Sequence, residues 1–134
     1  MIEVDVAVAV VLRQNGQMTQ VLVSLRHQNA HQGGRWEFPG GKVESNESIE
    51  SALARELKEE LALVVTAYEP LMTIEYVYPD KAVCLHVHLV LSFDGEPQSM
   101  EGQAFKWVAV TELPELVFPE ANAPIVAALM ERFD

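Results

Sequence analysis

Residues 41–63 read GKVESNESIESALARELKEELAL, and the way this stretch folds decides the rest. From Ser48 onward the period is helical. Ile49, Ala52, Leu53, Leu57 and Leu61 fall on one apolar stripe, and Ser48 is placed to cap the N-terminus. Glu56, Glu59 and Glu60 lie beside and across from that stripe, so the helix buries one side and presents carboxylates on another. Glu56 faces both of the others at i+3 and i+4, where like charges cost roughly a few tenths of a kcal/mol per pair. Arg55 reaches Glu59 at i+4, yet one cation cannot neutralise three anions. Such a face either solvates a surface or holds a place for something positive that the chain does not contain.

Outward from this helix the patterns are those of strands. VDVAVAVVLR, residues 4–13, is a short valine-rich run that predicts a buried strand. Asn15-Gly16 is a hairpin signal, and TQVLVSLR is the return strand. HQNAHQGG reads as a loop, and WEF as a short extended piece leading into Pro39-Gly40-Gly41, which predicts a tight, bare-backbone turn. Beyond the helix, TAYEPLMTIEYVY and AVCLHVHLVLSF predict two long strands joined at Pro79-Asp80. A turn at Asp94-Gly95-Glu96-Pro97, a strand FKWVAV and a closing helix APIVAALMERF follow, with Pro124 near the first turn of that helix. The order β-β-β-α-β-β-β-α predicts an α+β fold, a mixed sheet packed between helices as an α/β/α sandwich.

A chain of 134 residues, 49% hydrophobic and 22% charged, fits one globular domain over residues 1–134. Twenty acidic against nine basic residues leave a net charge of -11. That balance argues against nucleic-acid polymers and anionic membranes as partners, because both are bound through basic patches. It leaves room for a small phosphorylated ligand if metal ions supply positive charge. The single cysteine, Cys84, forms no internal disulfide, which fits a reducing compartment. The N-terminal run is acidic and too short to span a bilayer, so a soluble, cytoplasmic protein is expected.

Gly41 is followed after five residues by Glu47, and after seven more by Arg55-Glu56-Leu57-Lys58-Glu59-Glu60. This resembles the Nudix box, a signature of metal-dependent hydrolases that cut diphosphates. Only Ala62 departs from it, standing where the family usually has glycine. The resemblance implies that Gly41, Glu56, Glu59, Glu60 and Glu101 hold Mg²⁺, with Mn²⁺ as the other candidate. It implies a catalytic set of Glu56, Arg55 and Glu101, with Glu56 the leading candidate to take the proton from water. Gly40 and Glu47 complete the motif, Glu47 pairing with Arg55 to brace the loop against the helix. Hard oxygen ligands on a rigid helix suit such an ion, which neutralises a diphosphate and lowers the pKa of water.

GGRWEFPGGKVE, EYVYPD, DGEPQSMEGQAFKWV and FPEANAPIVAAL also resemble the MutT-like branch, hydrolases of 8-oxo-dGTP that release the monophosphate and pyrophosphate. That resemblance implies a free nucleoside triphosphate as substrate, a monomeric enzyme, and a role in clearing the nucleotide pool. It assigns substrate contacts to Arg26, Phe38, Tyr78 and Asn122. Asn122 would read the purine edge, the Phe38 carbonyl would accept the N7–H that exists only after oxidation, and Arg26 would lie near the phosphates. On local grounds alone Asn122 reads equally as a helix cap, Tyr78 as a strand-surface aromatic, Arg26 as a solvated charge and Glu101 as a loop acid. Other Nudix pyrophosphatases, including those for CTP, share the GGxWEFxGGKVE opening, and a binding module without catalysis is the reading from another class. His86 and His88 form an H-x-H on one strand face; with no third ligand in the sequence pattern, packing on the sheet ranks ahead of zinc. Trp36 and Trp107 read as packing residues, and Cys84 as a buried strand residue.

Overall fold

Strand β1 runs from Ile2 to Asn15 and turns at Gly16, whose φ of 67° is the left-handed value a tight hairpin requires. In the computed structural model, residues 2–26 and 34–133 are described; residues 27–33, and with them most of the expected HQNAHQGG loop, lie outside that range. The remaining elements are β2 (Met18–Leu25), β3 (Trp36–Glu37), β4 (Gly40–Lys42), α1 (Ile49–Leu61), β5 (Val64–Val77), β6 (Lys81–Asp94), β7 (Phe105–Ala109) and α2 (Ala123–Phe133). Two 3₁₀ turns, Val110–Glu115 and Glu120–Asn122, separate β7 from α2. Among the described residues no helix is long and apolar enough to cross a membrane.

β1 organises the sheet. One edge pairs in parallel with β6 from Ile2–Lys81 to Val11–Val90. Its other edge is shared, with Val6–Val8 antiparallel to β4 and Leu12–Asn15 antiparallel to β2. β5 closes the far side against β6, and β7 and β3 extend the β2 side, so the sheet is mixed as expected. Because successive strand residues face opposite ways, Ala7, Ala9 and Val11 meet α1 while Val8, Val10 and Leu12 belong to the core on the other face, with Ile125 and Leu129 of α2. A strand covered on both faces is apolar throughout, which is why residues 4–13 read as an unbroken run. Leu53, Leu57 and Leu61 of α1 are almost fully buried, each contributing roughly 1.5–3 kcal/mol. Ser48 caps α1, its hydroxyl accepting from the Ser51 amide at 3.1 Å.

Two local expectations are corrected. Gly40 and Gly41 do not form a turn; they enter β4 and pair with β1. A Cβ at Gly40 would lie 2.0 Å from the Ala7 carbonyl oxygen, so glycine is present because main chain packs on main chain here. The strand expected over FKWVAV ends at Ala109, and Val110 opens a 3₁₀ turn that contains Pro114, whose missing amide cannot continue a ladder. Pro70 likewise sits at a register shift in β5, between Pro70 and Met72.

Ala62, the departure from the Nudix pattern, is the C-cap of α1 at φ 59°, ψ 31°, donating to the Lys58 carbonyl at 3.1 Å. The left-handed conformation crowds the Cβ of an L-residue, at a cost of roughly 1–2 kcal/mol, and glycine escapes it. Ala62→Gly is therefore expected to stabilise the fold by about 0.5–1 kcal/mol after the entropy of glycine is subtracted. Urea unfolding measures this directly, and a lowered midpoint would contradict it.

Candidate active site

The carboxylates of α1 lie against the bare backbone of β4. The Gly40 amide donates to Glu60 Oε2 at 3.1 Å, and a Cβ at Gly41 would fall 2.4 Å from the Glu56 carboxyl carbon. Any larger residue at Gly41 would displace Glu56. The loop after β6 is tied to the end of the same helix: the Gln98 amide donates to the Leu61 carbonyl at 2.9 Å and the Met100 amide to the Glu60 carbonyl at 3.0 Å. These bonds cap the last turn and carry Glu101 close enough that its charge acts on both Glu56 and Glu60.

Arg55 holds the cluster together. Its Nε and one terminal nitrogen grip both oxygens of Glu47 at 2.7 and 2.9 Å. The other terminal nitrogen donates to Glu56 at 2.8 Å and Glu59 at 3.1 Å. A further bond at 3.0 Å ends on the Lys42 carbonyl, fastening β4 to α1. The guanidinium holds the Glu47 carboxyl down to about 2. Glu60 lies beyond Arg55's hydrogen bonds, and burial, then the neighbouring charges of Glu56 and Glu37, push it up to about 8. Burial also raises Glu56, against the opposing pull of Arg55.

A cavity of about 260 Å³ opens on the side of β4 that faces α2. Phe38, Tyr78, Asn122 and Arg26 all line it, together with Gly40 and Gly41. Three contacts bring the distant FPEAN segment there: Phe38 stacks on Phe118 with centroids 5.1 Å apart, the Trp36 amide donates to the Val117 carbonyl at 2.8 Å, and the Tyr76 hydroxyl donates to Glu120. Asn122 is 9% exposed, and its side-chain amide makes no hydrogen bond to the first turn of α2 among the described residues. Tyr78 is buried at the cavity wall and not on a strand surface. Arg26 reaches the cavity paired with Glu37 at 2.6 Å. Glu37 is the residue that sequence reasoning missed. It lines the cavity, pairs with Arg26 and adds its charge to Glu60; its only sequence signal is its place beside Phe38 in EFPGG.

The NUDIX domain family matches this chain over residues 3–129. The chain belongs to the Nudix family. Among its relatives, the 8-oxo-dGTP diphosphatase of Escherichia coli K12 is 34% identical over 127 residues, covering 95% of this chain and 96% of that protein. The CTP pyrophosphohydrolase of the same organism is 35% identical over 130 residues, covering 97% and 92%. A solved MutT structure, from work on Aliivibrio salmonicida and Vibrio cholerae, superposes with a TM-score of 0.84 at 33% identity, covering 98% of this chain and 99% of that one. Nudix hydrolases require a divalent metal ion, and this cluster fits one: its donors are all oxygens, and Gly41 leaves the space beside Glu56 bare.

The Glu60 environment sets a pH dependence for the metal-free Nudix protein. Between the ordinary carboxylate value and about 8, the folded chain keeps a proton that the unfolded chain has lost. Stability in the presence of a chelator therefore falls as pH rises through that window. Scanning calorimetry with chelator is expected to give a Tm at pH 8 lower than at pH 5 by roughly 4 °C or more, with Glu60→Gln much flatter. Identical pH profiles for the two proteins would refute the assignment.

Proposed function

We propose that this Nudix hydrolase acts on 8-oxo-dGTP and related oxidised guanine nucleotides, releasing the monophosphate and pyrophosphate. The observation that carries the reading is the placement of Asn122 and Phe38 in one cavity bordered by Gly40 and Gly41, whose far side meets Glu56 and Glu60. A base in this cavity would thus leave its phosphates toward the carboxylates.

Glu56, Glu59, Glu60 and Glu101, with the Gly41 carbonyl, hold Mg²⁺ in this reading, or Mn²⁺, since oxygen donors accept either. The bound ion supplies charge neutralisation of the diphosphate and a lowered pKa for water. Glu56 takes the proton from the attacking water; burial that raises its affinity for a proton suits a general base. Arg55 fixes the Glu56 carboxylate while Glu47 fixes Arg55, so the base is oriented before substrate arrives. Arg26, positioned by Glu37, meets the phosphate end. The Asn122 amide offers an acceptor and two donors to the purine edge. The Phe38 carbonyl accepts N7–H from the oxidised base, whereas the N7 lone pair of ordinary guanine would face it acceptor to acceptor. We further propose a single-domain, cytoplasmic monomer working on free nucleotides, in keeping with a net charge of -11.

CTP hydrolysis is the second reading, favoured by the 35% identity to the E. coli CTP pyrophosphohydrolase. Steady-state kcat/KM for 8-oxo-dGTP, dGTP and CTP with Mg²⁺ separates the two. A preference of about tenfold or more for 8-oxo-dGTP, equivalent to about 1.4 kcal/mol, is expected; equal or faster CTP turnover would overturn the substrate assignment. Asn122→Ala should raise KM for 8-oxo-dGTP far more than for dGTP, and parallel changes would return Asn122 to a structural role. Glu56→Gln should lower kcat by roughly 10²–10⁴ with the circular dichroism spectrum intact.

A further inference from the structure

The face of the sheet opposite the nucleotide cavity carries a second cluster of ligating atoms. Val4, Val6, Val83 and Leu85 line the cavity, so the residues alternating with them, Asp5, Cys84 and His86, face the other way. Parallel pairing of β1 with β6 sets Asp5 directly beside Cys84 and Ala7 beside His86. One oxygen of Asp5, the Cys84 sulfur and one ring nitrogen of His86 all lie within 4.8 Å of one another. His86 Nε2 and Asp5 Oδ1 are 3.0 Å apart. A plain ion pair accounts for those two residues but not for the thiol that completes the triangle.

We propose that Asp5, Cys84 and His86 form a site for a divalent transition-metal ion of the zinc type, distinct from the carboxylate cluster on α1. The donor set is the argument. Thiolate, imidazole and carboxylate together suit Zn²⁺ or Co²⁺ and are a poor match for Mg²⁺, whereas the α1 cluster offers oxygen alone. Tetrahedral zinc with these ligands holds donor atoms roughly 3.3–3.8 Å apart, so donors now within 4.8 Å of one another would readjust around the ion. Asp5, with a side chain 56% exposed, leaves the site open to solvent. Glu75, paired with Cys84 from β5, and Glu3 add negative charge around the sulfur and favour a cation there. Binding forms a sulfur–metal bond and breaks the S–H bond, the proton leaving to solvent. Water takes the fourth position. His88, on the same strand face, lies outside the triangle.

Cobalt titration tests the site, with Mg²⁺ in large excess to occupy the carboxylates of α1. The wild-type chain is expected to bind one Co²⁺ with a thiolate-to-cobalt charge-transfer band and the strong visible bands of a four-coordinate ion, and Zn²⁺ is expected to bleach both. Cys84→Ser should abolish the charge-transfer band. Asp5→Asn and His86→Ala should each weaken Zn²⁺ by about tenfold or more in competition with a chelating dye. Mg²⁺-dependent hydrolysis and the circular dichroism spectrum of Cys84→Ser and Asp5→Asn should match wild type, which separates loss of the site from loss of the fold. Absence of the charge-transfer band in the wild type, or zinc affinity unchanged in Asp5→Asn and His86→Ala, would overturn the proposal.

Discussion

The guanidinium of Arg55 is the contact on which the active-site half of the molecule depends. It binds both oxygens of Glu47, touches Glu56 and Glu59, and fastens to the Lys42 carbonyl of β4. Without it, α1 would set mutually repelling carboxylates against the glycine strand β4, and the Lys42 carbonyl would lose its tie to the helix. The bidentate pair with Glu47 is geometrically specific, which lets one cation fix a loop, a strand and a helix at once. Its reach is also limited. Glu60 falls outside its hydrogen bonds and is half-buried beside Glu56, Glu37 and Glu101, so one acid in the cluster stays near neutrality while another is held firmly ionised.

β1 does for the fold what Arg55 does for the site. Its odd residues from Ala7 to Val11 support α1, and its even residues from Val4 to Val8 form a wall of the cavity. Small alanines at 7 and 9 let α1 approach the sheet, and the same strand accepts β4 on one edge and β6 on the other. The carboxylates and the cavity are therefore connected through rigid strand and not through a loop. That rigidity suits a hydrolase that must align its substrate and an attacking water within a few tenths of an ångström.

The two edges of β1, one paired with β4 and the other with β6, also divide the polar chemistry of the protein. Oxygen donors gather at the α1–β4 edge, and the sulfur and imidazole donors lie at Cys84 and His86. The separation matters physically, since a thiolate among the glutamates would bring softer ions into a site whose chemistry belongs to hard ones.

By itself the sequence determined α1, with its apolar stripe, its Ser48 cap and the order of Arg55, Glu56, Glu59 and Glu60, because helical spacing and capping are local. It also determined the long strands, the Asn15-Gly16 hairpin and the mixed sheet between helices, since valine runs, turn residues and element order carry that information within a few residues. Tertiary structure decided what Gly40 and Gly41 do: glycine pairs read locally as a turn, and only the approach of the Ala7 carbonyl makes them a strand. It decided the company Asn122 keeps, through the Phe38–Phe118 stack and the Trp36–Val117 bond, which join segments some eighty residues apart. It decided that Glu37 belongs to the site and that Asp5 stands beside Cys84. The physical reason is common to these cases. Strand register is a long-range property, and shifting β6 against β1 by one residue would send Cys84 and His86 to the cavity face and Leu85 to the other.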